Sequence, residues 1–357
     1  MAIPLRDGIQ KFREEDIQSF FHSFLRYGFA NPWLPLWNTV TSRYQVGTNI
    51  FDREWDALVV LDACRTDSLS EFSGSMPWLN DVEQMRSVGS MSSEWVLKTF
   101  TQDHLDEIRN TAFISRNVWS QRIFDQELHK NSEISKARKY DIIRKGYPNW
   151  NPVSSADFRH YERVQPIANQ DDRIHPESTS VPHIVTDRAI TVGREMDFDR
   201  LIVWYRMPHI KFFADAIDWV ADETSIETLM SGPEVRRELT PEERSYGVVM
   251  NGDASSEKVR DLYKQNLRFV LEYVNILLQN LDVDDVVVSA DHGEGLGDGL
   301  GQFWSHPYGY PFSPIKTVPW AETTAQDEHT YEPRYDELSR DPVEEEQRQL
   351  LKDMGYI

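Results

Sequence analysis

Two stretches of this chain end an apolar run in residue types that bind metal ions. In WDALVVLDACRTD the carboxylate of Asp62 follows the run directly, and in DVVVSADHGEGLGD the neighbours Asp291 and His292 do the same. Carboxylate and imidazole together suit Zn or Mn, and Mg or Ca where oxygen ligands dominate. Gly293 and Gly295 beside the Asp-His pair allow backbone, ion and substrate to approach closely. Each motif also has a plainer use, since an Asp after a strand often serves a turn or cap. What points to chemistry is that both follow buried strands.

The elements that must position these residues are legible as alternating patterns. Short β-branched runs predict strands at Trp55–Leu61, Asn110–Ser115, Arg200–Tyr205 and Asp285–Ala290. Between the last two, Ser255–Asn280 keeps Val259, Leu262, Leu267, Val270, Leu271, Val274, Leu277 and Leu278 at helical spacing. Strands alternating with helices predict an α/β fold, a mostly parallel central sheet with helices on both faces. Ligands in such sheets gather at the carboxyl ends of the strands, where Asp62 and Asp291 fall. The polar stretch Glu127–Asp187 reads as an insertion. Residues 1–50 read as a helical extension packed on a core domain of 51–320. Residues 321–357 read as an acidic tail ending in a helix from Val343 to Ile357.

Composition limits the function classes. The chain has 357 residues with 59 acidic against 38 basic side chains, a formal charge of -21, which would repel nucleic-acid phosphates. The 39% hydrophobic content supports a folded core, and one cysteine excludes an internal disulfide framework. The acidic surplus also suits solubility in a high-salt cytoplasm. The N-terminal MAIPLRDGIQKFREED lacks an uninterrupted apolar stretch, and no segment reaches a membrane span, so a cytoplasmic location is expected. The aromatic Phe20–Leu36 segment is expected to pack on the parent domain, with peripheral membrane contact as the alternative.

In this order, VVLDACRTD and VVVSADHGEGLGD resemble the first and last metal motifs of the alkaline phosphatase superfamily, in its sulfatase-like branch. YRMPHIKFF resembles that branch's central strand followed by Pro208-His209, and the terminal MGYI resembles the ending of many sulfatases. The resemblance implies a three-layer sandwich, a divalent metal ion (Zn, Mn, Mg or Ca) and Asp62, Asp291 and His292 as its ligands. It also implies a nucleophile about thirty residues after the first Asp, where Ser90, Ser92 and Ser93 precede the helix-like EWVLKTF. Ser92 is the favoured choice, both as nucleophile and as a ligand through its oxygen; the plainer reading is a helix cap.

His209 and His306 are expected to act as proton carriers or to complete a second, weaker metal site, and Lys211 to offset charge on a transferred group. Arg65 and Asn117 are further substrate-binding candidates, the plainer reading of Arg65 being that it pairs with a nearby acid and orients the first loop, and Glu294 is expected to orient His292. The chain departs from the family where Ala63 replaces a second Asp and Tyr205 an expected carboxylate. Cys64 lacks the sulfatase conversion motif and reads as a small buried residue. The pattern is nearer to the single-metal phosphoethanolamine and lipoteichoic-acid transferases. Together these imply a hydrolase or transferase acting on phosphate or sulfate esters of small molecules, glycans or lipids. A non-catalytic scaffold protein and a phosphoglycerate-mutase-like isomerase are the alternatives.

Overall fold

The computed structural model describes residues 40–41, 43–125, 150–164, 182–209, 256–298 and 303–334. Most of the N-terminal extension, the Phe20–Leu36 segment, Lys211 and the C-terminal helix expected at 343–357 lie outside them.

The central sheet has seven strands in the order β2-β9-β6-β1-β5-β3-β4. They are β1 (Ala57–Asp62), β2 (Glu83–Arg86), β3 (Thr111–Ser115), β4 (His160–Arg163), β5 (Arg200–Pro208), β6 (Val283–Ser289) and β9 (Thr317–Ala325). Leu296–Gly297 (β7) and Phe303–Trp304 (β8) form a separate short ribbon. β1 pairs in parallel with β5 and β6, and β3 in parallel with β4 and β5. Only β9 runs against its neighbours, β2 and β6. The α/β sandwich expected from the alternation is what forms.

β1 is buried at every residue because both faces are covered, which is why its sequence is an unbroken apolar run. The side-chain period of two then sorts β5. Trp204 points to one face, its ring 5.0 Å from that of Trp95 on helix α1 (Ser92–Thr99). Tyr205 points to the other, where its hydroxyl lies 2.7 Å from Thr186 Oγ1. Helix α2 (Val118–Phe124) shares the first face with α1, since Phe124 and Phe100 both contact Phe113. Helices α3 (Pro182–Glu195) and α4 (Ser256–Leu278) cover the second face. On α4 the expected stripe is buried apart from Leu262, which is half-buried against the small cluster of Val259, Tyr263, Leu296 and Trp304.

Two parts of the expected organisation need correcting. Within 127–187, β4 is a sheet strand paired to β3, and α3 begins at Pro182, so the core reaches into the supposed insertion. Likewise β9 runs past the expected boundary at 320. β4 (HYER) and β2 (EQMR) are edge strands made mostly of polar and charged residues, so they carry no apolar run to read.

Candidate metal centre and active site

Register alone brings the metal-type residues together. Val60 of β1 pairs with Ser289 of β6, so two residues further on Asp62 stands beside Asp291 at the carboxyl ends of adjacent strands. The ligand atoms of Asp62, Asp291 and His292 lie within 4.8 Å of one another, all three residues buried. His292 Nε2 is 3.4 Å from Asp291 Oδ2 and 3.8 Å from Asp62 Oδ1. The His292 Nδ1–H bonds to Gly293 O at 2.7 Å, a contact that leaves the Nε2 lone pair facing the carboxylates. Gly293 is required here: a Cβ on it would lie 2.1 Å from Pro314 O, in the wall against which its amide bonds Ile315 O. Ala63 takes a left-handed φ of 62° so that its amide can reach Asp291 Oδ1 at 3.0 Å.

The electrostatics are those of a cation site. Burial raises the pKa of Asp62, and the neighbouring charge of Asp291 raises it further. Burial lifts Asp291 to about 6 and holds His292 neutral. Asp291 Oδ2 is buried with no hydrogen-bond partner. Two like charges beside a neutral imidazole nitrogen fit a divalent ion. The donor set of two carboxylates, one imidazole and a nearby hydroxyl is chemically suited to Zn or Mn.

That hydroxyl is Ser92, the first residue of α1. Its Oγ lies 3.4 Å from Asp62 Oδ1, 3.4 Å from His292 Nε2 and 3.1 Å from Asn117 Nδ2. Ser90 is occupied elsewhere, its hydroxyl bonded to Glu94 Oε2 and Pro307 O. Ser93 Oγ is buried with no hydrogen-bond partner and touches neither carboxylate. Asn117 caps α2 through Oδ1, which accepts from Trp119 N, while Nδ2 also donates to Asp62 Oδ2 at 2.6 Å. One amide thus fixes a helix, a carboxylate and the serine.

A second group sits alongside. His209, Glu294 and His306 bring ligand-type atoms within 4.8 Å, with the two imidazole Nε2 atoms 3.4 Å apart. The His209 amide bonds Asp62 O at 3.1 Å, at the point where the β1–β5 register shifts. Glu294 is held against His306 Nδ1 at 2.9 Å. Burial opposes charge on His306, but Glu294 outweighs it and raises the pKa. Glu294 therefore serves His306, and the expectation that it orients His292 is corrected: Gly293 O does that.

Other expectations change. Arg65 pairs with Asp67 and Asp298 and bonds Glu294 O, tying the first loop to the last, which is the loop-orienting role weighed for it against substrate contact. Burial pushes the Cys64 thiol far above its usual range, which makes it inert. Tyr205 faces α3, away from the centre.

No family description and no curated protein matches this chain. Among solved structures, it is similar to the soluble domain of lipooligosaccharide phosphoethanolamine transferase A from Neisseria meningitidis. There the identity is 14% and the TM-score 0.39, over 79% of this chain and 80% of that one. The C-terminal periplasmic domain of EptC from Escherichia coli, in complex with Zn, is similar at 12% identity and TM-score 0.41, over 80% and 77%. A putative sulfatase from Bacteroides thetaiotaomicron gives 11% and 0.36, over 78% and 67%. These similar structures are thus phosphoethanolamine transferase domains and a putative sulfatase, all at identities below 15% and TM-scores below 0.5. The cytoplasmic expectation is withdrawn, because similar transferase domains from Escherichia coli and Campylobacter jejuni are periplasmic. Among the described residues no helix is long and apolar enough to cross a membrane.

Proposed function

We propose that this chain is a divalent-metal-dependent hydrolase or transferase acting on phosphate or sulfate esters of sugar or lipid alcohols, with Ser92 as nucleophile. The reading is carried by the position of Ser92 Oγ, 3.4 Å from both Asp62 Oδ1 and His292 Nε2 at the start of a helix. Asp62, Asp291 and His292 would hold the cation, which when bound supplies charge that favours a serine alkoxide and steadies a non-bridging substrate oxygen.

The chain's own groups supply the rest. Asn117 Nδ2 fixes the direction of Ser92 Oγ. The positive end of α1 favours the charge that spreads over the peripheral oxygens in transfer. Ser92, its proton released to solvent, attacks phosphorus or sulfur in line as the bond to the ester oxygen breaks. His306, whose protonated form Glu294 favours, gives its Nε2 proton to the departing alcohol. The neutral imidazole then takes a proton from the water or acceptor hydroxyl that releases the group from Ser92.

The test is mass spectrometry of the protein after brief exposure to p-nitrophenyl phosphate or sulfate with Zn or Mn. A phospho- or sulfo-serine on wild type that disappears in Ser92→Ala supports the assignment. An adduct that survives moves the nucleophile to Ser93. A second reading makes His209, Glu294 and His306 ligands of a further ion, since they converge as closely as the first group. Metal analysis separates the two: one ion per chain keeps His306 as proton donor, and two make it a ligand.

A further inference from the structure

His306 is strung between the two turns that carry the reacting groups. On its N-terminal side Ser305 pairs with Gly295, in the loop of Asp291 and His292, through amide–carbonyl bonds of 3.0 and 3.2 Å. On its C-terminal side the chain meets Ser90 and Glu94, which lie two positions before and two after Ser92. Glu94 Oε2 accepts from the Ser90 amide at 2.8 Å and from the Gly309 amide at 3.2 Å. Ser90 Oγ lies 2.7 Å from the same oxygen and 2.9 Å from Pro307 O, so its one proton is shared between helix and loop. It also accepts from the Tyr310 amide at 3.2 Å. One carboxylate and one hydroxyl, placed either side of Ser92, thus grip Pro307, Gly309 and Tyr310 just past His306.

A carboxylate in the first turn of a helix often does no more than cap that helix. Capping accounts for the bonds to Ser90, but not for the bond to Gly309, 215 positions away along the chain. Nor does a cap need burial, whereas Ser90, Glu94 and Lys98 are at most 1% exposed. Lys98 Nζ donates to Glu94 Oε1 and to Thr41 O. A buried ion pair is a poor source of stability, since apolar side chains of similar volume often serve as well. Buried Trp95, Val96 and Leu97 already fasten α1 to the core. What the bonded carboxylate adds is a fixed spacing between Ser92 and the His306 loop. In-line transfer needs nucleophile and proton donor on opposite sides of the moving group, and a shift of about 1 Å in such a geometry can cost about a hundredfold in rate.

We propose that Glu94, together with Ser90, is a positioning residue that sets the place of His306 relative to Ser92 and so governs proton delivery to the departing alcohol. Esters whose alcohols leave poorly without a proton depend on it most. This rests on the reading of Ser92 as nucleophile and His306 as proton donor; the hold of Glu94 on the loop does not.

The test compares two double variants, because removing Glu94 alone would leave the Lys98 charge buried and unpaired. Glu94→Leu/Lys98→Met takes away both the charge and the grip on the loop. Glu94→Gln/Lys98→Met keeps a carbonyl that can accept from Ser90 and Gly309, with its amide group facing an apolar side chain. Both lose the bond to Thr41 O, so that loss cancels between them. In the first arm kcat/KM is measured with Zn or Mn at pH 8 for p-nitrophenyl and benzyl phosphate. The p-nitrophenolate leaves without a proton, whereas the benzyl alkoxide needs one. The p-nitrophenyl/benzyl ratio should rise about tenfold or more in the Leu/Met variant and stay within about threefold of wild type in the Gln/Met variant, with His306→Ala as the reference for a lost proton donor. If the Leu/Met protein does not fold, Ser90→Ala gives the same comparison in the same direction. Equal losses on both esters would reduce Glu94 to a helix support and overturn the proposal.

The second arm needs no catalysis. Hydrogen exchange of the full chain in EDTA should be about tenfold faster over residues 303–312 in the Leu/Met variant and near wild type in the Gln/Met variant, with β1 and β6 unchanged in both. Unchanged exchange over 303–312, or acceleration spread evenly over the sheet, overturns the hold on the loop. A released loop with no ester cleaved by wild type, or with a ratio that His306→Ala does not move, would sink the reaction as drawn and leave the hold standing. Cleavage through Ser92 and His306 with an unmoved loop would do the reverse.

Discussion

Replacing Asp291 by Asn should stabilise the metal-free protein while abolishing its response to metal. Burial lifts the Asp291 pKa to about 6 in the fold, against about 4 in an unfolded chain. Two units at 1.36 kcal/mol each amount to about 3 kcal/mol. Because the folded pKa is the higher, this cost is absent below about pH 4, grows between about pH 4 and 6, and is complete above. In Asp291→Asn the side-chain carbonyl would keep the place of Oδ1 as acceptor for the amides of Ala63 and His292, each 3.0 Å away. The new amide group would point where Asp291 Oδ2 now sits, 3.4 Å from His292 Nε2, which can accept from it. Urea unfolding followed by tryptophan fluorescence, which reports on buried Trp95 and Trp204, gives the free energies. In EDTA at pH 8, D291N should exceed wild type by about 2–3 kcal/mol, and the two should converge near pH 4. Zn or Mn at one hundred times its dissociation constant should add about 2.7 kcal/mol to wild type and far less to D291N. A D291N protein that is less stable than wild type in EDTA at pH 8, or that keeps the full metal increment, would refute the reasoning.

Other substitutions test the supports of the site. Asn117→Ala removes a helix cap and a 2.6 Å bond to a buried carboxylate, and should cost about 2–4 kcal/mol in urea unfolding as well as most of the esterase rate. Ala63→Gly relieves a left-handed backbone and should raise stability by up to about 1 kcal/mol with the metal response intact, measured in the same titrations. Lys316 is buried with its Nζ unpartnered, and burial lowers its pKa to about 7 despite Glu94. Its charge therefore opposes folding most fully below about pH 7, and Lys316→Met should raise the melting temperature more at pH 6 than at pH 9.

What could be read in advance follows from how each residue earns its place. Asp62, Asp291 and His292 were legible because buried strands leave continuous apolar runs, and a polar residue ending such a run stands out. The same logic found the α4 stripe. β2 and β4 were not legible, because edge strands of four residues with charged side chains look like loops. The pairing of Glu294 with His306 was missed because it joins two loops through side-chain geometry that adjacency to His292 does not disclose. The fate of Arg65 had a local sign in Asp67, two residues on, but its second partner, Asp298, is set only by the fold.

That order also governs when during folding the centre can exist. The amide of Ala63 and the carboxylate it grips are 228 positions apart, so the centre closes only when β6, from the last quarter of the chain, has paired with β1. A chain halted before Val283 would present Asp62, Ser92 and Asn117 with no opposing Asp-His pair, and so would hold a cation poorly. Metal capture thereby requires the pairing of β1 with β6 at the sheet's middle and is expected to act on that paired state. Adding the ion midway through refolding should therefore leave the folding rate unchanged and slow only the return to the unfolded state.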